Sequence, residues 1–160
     1  MLSTGTAAWL AVAICVAAAL IEGLCAGRQV RPFFKQVRLP RYSAPLWLWS
    51  LIGAAYYFVF GFVLYRLLSH VPASGLTRAT LALIGAMMLG NALSNLVIFR
   101  ARNLRLSGMI GDAYALFDIL LVLVVTRIDS LAAWALAPYL AYRVYAVWWG
   151  RMLAELNPSS

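Results

Sequence analysis

The sequence predicts an all-α membrane protein: a bundle of five transmembrane helices, amino terminus outside and carboxy terminus cytoplasmic. Three observations predict it. Of 160 residues, 64% are hydrophobic and only 11% charged, with mean hydropathy +0.86, whereas soluble domains carry roughly 25% charged residues. The apolar residues gather into five runs, each near the roughly 20 residues a helix needs to cross a bilayer core. Lys and Arg fall in the short stretches between the runs, with a bias toward alternate connections. Helices satisfy their backbone polar groups internally, as lipid requires, and the alternation of a β-barrel is missing from the sequence.

The first run covers about residues 6–27. Ala17 to Ala19 imitate a cleavage site, but the run lacks a basic start and exceeds the apolar core of about 7 to 15 residues of a signal peptide, so it reads as a retained span. Cys15 and Cys25 lie about 15 Å apart along such a helix, too far for a disulfide, and read as packing residues. The connection 28–44, "RQVRPFFKQVRLPRYSA", is the one long loop and holds Arg28, Arg31, Lys35, Arg38 and Arg41 with no acid. Its basic residues suit an anchor on anionic lipid; Pro32, Pro40, Phe33, Phe34 and Tyr42 suit a stiff lid at headgroup level. The two readings are compatible.

The second run covers 45–68. In the third, 74–99, Ala82, Ala86 and Gly90 recur every four residues as a small-residue stripe for close helix approach, inside the bundle or across a homodimer. The fourth, 106–126, carries Asp112 in its early turns, where a helix dipole favours a carboxylate, and Asp118 in its middle. The fifth, 130–153, carries Arg143 among Tyr139, Tyr142, Trp148 and Trp149. The third connection adds Arg100, Arg102 and Arg105 to the basic side, while the second and fourth are poor in Lys and Arg. That alternation sets the orientation stated above. The whole chain, 1–160, reads as one five-helix membrane domain, without an internal repeat of the transporter kind.

A formal charge of +8 does not point to nucleic acid, because the basic residues do not share a soluble face. His70 is the single histidine, so no protein metal site is expected, and no nucleophile stands beside a base. The chemistry-bearing residues are instead Glu22, Asp118 and Arg143, which helix counting puts inside the apolar slab, where a charge costs at least about 2.5 kcal/mol. They should therefore share partners, with Arg143 serving both acids. Such a cluster fixes helix register, or forms a polar patch in a ligand cavity or on a proton or substrate path.

The segment "APYLAYRVYAVWWGRMLAELN" resembles the last helix of the TspO/MBR family, the tryptophan-rich sensory and translocator proteins, through Pro138, Tyr139, Leu140, Ala141, Ala146, Leu156 and Asn157. "LPRYSAPLWLWSLIGAAYYFVFG" resembles the family's first loop and second helix through Pro40, Pro45, Trp47, Tyr57, Gly61 and Tyr65, and "GNALSNLVIFRAR" its third helix through Asn91, Phe99 and Arg102. The likeness covers about residues 30–157. Where the family shows Trp or Gln in its cavity, this chain has Arg41, Tyr42, Gly53, Met87, Ser94 and Tyr142; Trp149 and Gly150 replace a Leu-Asn pair, and Trp49, Trp148 and Trp149 occur at other positions.

The resemblance implies a five-helix bundle, often a dimer, with a pocket on the cytoplasmic side under the first loop. It implies binding of porphyrin, haem, sterols or synthetic isoquinolines and benzodiazepines, for sensing, sequestration or transfer, with no required cofactor. Some members promote light-dependent breakdown of protoporphyrin through pocket tryptophans, so a porphyrin-degrading enzyme is one alternative; a structural or transport bundle without the ligand site is another. A flat tetrapyrrole with carboxylate edges needs aromatic faces and a few cations. The expected ligand-binding residues are Trp47, Tyr57, Asn91, Tyr139, Tyr142, Arg143 and Arg41, with Arg38 a further cation, and Leu136, Tyr139 and Arg143 also meet the loose cholesterol pattern. Expected surroundings are the lipid bilayer of a bacterial cell envelope, to which 12 Arg against one Lys is a compositional pointer.

Overall fold

The structure, a computed structural model, describes residues 1–158. Its helices are α1 (Thr4–Ala26), α2 (Val30–Gln36), α3 (Leu46–Ser69), α4 (Gly75–Asn95), α5 (Leu104–Ile128), α6 (Ser130–Ala135) and α7 (Ala137–Leu156), with no strand among the described residues. Four helical stretches are long and apolar enough to cross a bilayer: Thr4–Gln36, Leu46–Ser69, Gly75–Ala101 and Leu104–Ile128.

The start and end signals are local. Ser3, Ser74 and Asn103 cap α1, α4 and α5, each accepting from the backbone N–H three residues on, which satisfies an amide that the first turn leaves free. Gly27 ends α1 at φ 61°, a conformation that a side chain strains. The Arg100 guanidinium lies 2.9 Å from where a Cβ would stand there. Beyond α4 the chain widens into a π-helical segment, Leu96–Ala101, and stops at Arg102 in the left-handed conformation, φ 52°.

Two boundaries differ from the sequence reading. The basic connection 28–44 is not a plain loop, since α2 folds within it and joins α1 through a short 3-10 turn, Gly27–Gln29. The fifth run is not one helix: it breaks at Leu136 into α6 and α7. Pro138, near the start of α7, cannot donate a backbone hydrogen bond and its ring excludes a continuous helix through this point.

The helices close a ring. α1 packs on α3 and α4, α4 on α5, α5 on α6 and α7, and α6 back on α3. Two clusters of buried side chains bracket the space inside. The larger centres on Phe60, Val63, Leu64 and Leu67 of α3, against Ala11 and Cys15 of α1, Ile84 and Met88 of α4, and Leu121 and Val125 of α5. The smaller lies at the end nearer α2 and joins Phe33, Leu104, Trp149 and Leu153. Outside the ring large apolar side chains face outward, among them Trp9, Phe58, Trp134 and Val144, each at least 75% exposed. A soluble protein does not leave such a continuous apolar exterior uncovered.

The small-residue stripe divides. Gly90 faces inward, where its missing side chain admits the Tyr114 ring of α5, whereas Ala82 and Ala86 are exposed on the outside of the ring. Steps of four residues overshoot a helical turn by about 40° each, so the stripe rotates from the exterior into the α4–α5 contact.

Candidate functional site

Between the two buried clusters lies a cavity of about 510 Å³, within the range of roughly 300 to 1,000 Å³ typical of small-molecule sites. It is framed by the last turns of α1, the first half of α3, the end of α4, the start of α5 and most of α7. Its volume is opened by Gly53, Gly108, Gly111 and Gly150, at each of which an added Cβ would meet nothing within 4 Å. At the end near α2 an aromatic group closes it. Trp49 and Trp149 have ring centroids 4.8 Å apart, and Phe34 stacks on Trp149 at 6.2 Å.

The segment following α2 is fastened over this group by α7. The Trp149 Nε1–H donates to Ser43 Oγ at 2.9 Å. The Tyr145 hydroxyl donates to the Tyr42 carbonyl at 2.9 Å and accepts from the Ala44 amide at 3.0 Å. Asn157 accepts from the Arg38 amide at 2.9 Å and donates to its carbonyl at 3.0 Å. Three side chains thus hold a stretch with no regular structure of its own.

The intramembrane charges form two groups rather than the single cluster expected. Arg143 Nε donates to Asp118 Oδ2 at 2.6 Å, and the Tyr139 hydroxyl donates to Oδ1 at 2.5 Å. The Arg143 guanidinium also lies over the Tyr114 ring, 4.8 Å from its centre. Glu22 stands apart, accepting from the Tyr57 hydroxyl at 2.5 Å and from Asn95 Nδ2 at 2.7 Å. The expectation that Arg143 serves both acids is corrected by ring order: α1 touches α3 and α4, while α7 touches α5. Equal depth does not make two helices neighbours. Nearer the cavity end, Arg151 Nη2 and Asp112 Oδ1 pair at 2.8 Å, both well exposed.

Of the residues expected to bind a ligand, Tyr57, Asn91, Tyr139, Tyr142 and Arg143 line the cavity. Trp47 and Arg41 do not. Trp47 is 67% exposed, and Arg41 is exposed and lies over the Tyr42 ring. The reason for Trp47 is helical phase. Tyr56 is buried inside the ring, and at about 100° per residue Trp49 shares its direction to within about 20° whereas Trp47 faces the opposite way. Sequence reasoning missed Trp49, Phe34 and Asn95 as cavity residues. The inward-facing Tyr56, Phe60, Val63 and Leu67 of α3 carry a phase that selects Trp49. Two polar atoms at the cavity wall, Trp49 Nε1 and the Tyr56 hydroxyl, are buried with no hydrogen-bond partner among the described residues.

Comparison with curated proteins gave no match. The model of the TspO/MBR family matches residues 11–149, a span that contains three of the four long apolar stretches whole and the first from residue 11 on, and reaches the cavity-lining Trp149 of α7. With that match and those helices, the chain is an integral membrane protein and belongs to the TspO/MBR family.

Proposed function

We propose that the protein crosses the bilayer five times, amino terminus outside, and holds a flat hydrophobic molecule of the porphyrin, haem or sterol kind in the cavity between its helices. The role is sensing, sequestration or transfer, and the basic segment after α1 closes the cytoplasmic end. The observation that carries this reading is the cavity itself: about 510 Å³ inside a ring of helices, with the Trp49–Trp149 pair and Tyr57 supplying ring faces. Titration of the purified protein with protoporphyrin or haem tests it. Saturable quenching of tryptophan fluorescence with a shifted Soret band is expected at micromolar ligand, and a strictly linear, unsaturable response removes the reading.

A second reading, light-dependent breakdown of a bound porphyrin with dioxygen as oxidant, is favoured by the indole pair at the cavity end, Trp49 and Trp149. Illumination of the complex separates the two. Product that forms in the parent protein and not in Trp149→Phe favours photochemistry; porphyrin that survives illumination intact leaves binding alone.

A further inference from the structure

Three carboxylates border or adjoin the cavity in company with cations or without. Asp118 is held by Arg143 and Asp112 by Arg151, and Arg100 donates to the Leu24 carbonyl. Both guanidinium groups that line the cavity, those of Arg143 and Arg151, are thereby engaged. Glu22 has only neutral partners, Tyr57 and Asn95, and no Lys or Arg stands within ion-pair distance of it among the described residues. Both its oxygens are engaged in hydrogen bonds, one with the Tyr57 hydroxyl and one with the Asn95 amide. Glu22, Tyr57 and Tyr142 all line the cavity wall. A carboxylate in a site lined by aromatic rings is suited to an organic cation.

We propose that the cavity also takes a class of ligand beyond those named above, flat hydrophobic molecules bearing a positive charge on one edge, such as a protonated amine, with Glu22 as the counter-ion and Tyr57 and Asn95 as the groups that aim it. This rests on the cavity being a ligand site and goes beyond the porphyrin, haem and sterol reading, since those molecules carry carboxylate edges or no charge. It also assigns work to an intramembrane acid that does not complete an ion pair within the fold, a position that membrane proteins keep for function.

The test uses three ligands with one ring system: pyrenylmethylammonium, pyrenemethanol and pyrenecarboxylate, bound to the full chain in phosphatidylcholine nanodiscs and read by energy transfer from tryptophan. The ammonium should bind about tenfold tighter than the alcohol, and Glu22→Gln should remove about that tenfold while leaving the alcohol within about twofold of its parent value. Equal binding of ammonium and alcohol by the parent protein, or an ammonium preference that survives Glu22→Gln, overturns the proposal and leaves the cavity reading standing. Failure of all three ligands to saturate overturns both. Should Glu22→Gln not fold, the ranking in the parent protein decides alone.

Discussion

Arg143 follows Tyr139 by one helical turn on α7, so both side chains reach Asp118 on α5, one with a cation and one with a hydroxyl. The side chain of Asp118 is 4% exposed and that of Arg143 17%, so water contributes little to either. Removing one partner is then far costlier than removing both, because the survivor keeps its charge without compensation. Arg143→Leu is expected to destabilise the purified protein by about 3–5 kcal/mol, and Asp118→Leu combined with Arg143→Leu to recover most of that. Unfolding in detergent followed by tryptophan fluorescence measures both. A single variant as stable as the parent would deny the pair a structural role. The sequence made Asp118 and Arg143 partners by depth, and for that pair depth sufficed. Glu22 lay equally deep, and its partners Tyr57 and Asn95 are neutral groups that no charge count reveals.

Elements here are held at their ends as much as along their faces. At the end of the bundle away from α2, Asp129 accepts from the Ala132 amide at 3.0 Å, capping α6, and pairs with Arg66 of α3 at 2.8 Å. Burial works against its charge, but the Ala132 amide and the Arg66 guanidinium outweigh that and hold the carboxyl below the ordinary aspartate range. A folded value below the unfolded one means stability that is full above the ordinary pKa of about 3.9 and is lost as pH falls through the lower folded value. Asp129→Asn keeps an α6 cap and loses the ion pair, so it should cost about 1 kcal/mol at neutral pH. Unfolding midpoints of parent and variant should begin to converge as pH drops below about 3.9 and meet once it has passed the lower folded value; a gap that persists unchanged in acid would remove the ion pair from the account. The caps Ser74 and Asn103 emerge only in the structure, whereas helix extents were legible in the sequence to within a few residues where apolar length defines them, as with the run 106–126 for α5. The α6–α7 break was not, because the run is apolar on both sides of Leu136 and only Pro138 marks it. Nor was α2 read from the basic connection, where proline and charge pattern as a loop while Phe33 buries against Leu104 and Trp149.

At the scale of the molecule, the sequence carried the number of apolar runs and the family, because both are written along the chain. It did not carry the order of helices around the ring, which is fixed by contacts between distant segments and keeps Glu22 of α1 apart from Arg143 of α7. The unequal spans make one global property testable. Four stretches are plainly long and apolar enough to cross, whereas α6 and α7 are short or interrupted, and α7 carries Arg143 and Arg151. Five crossings put the two termini on opposite faces; four put them on the same face. Ser3, Arg38 and Glu155 are all exposed and report on the two ends of the bundle. In a background with Cys15 and Cys25 replaced by alanine, single variants Ser3→Cys, Arg38→Cys and Glu155→Cys can be challenged with an impermeant maleimide on intact cells. The excess of Arg in the first and third connections predicts that Ser3→Cys reacts from outside and that the other two react only after the membrane is opened. Labelling of Ser3→Cys and Glu155→Cys from the same side would reduce the crossings to four and leave α6 and α7 without a full passage through the bilayer. The Arg143–Asp118 pair gives a physical reason for the first outcome: an arginine whose charge is already matched inside the ring no longer prevents α7 from lying across lipid.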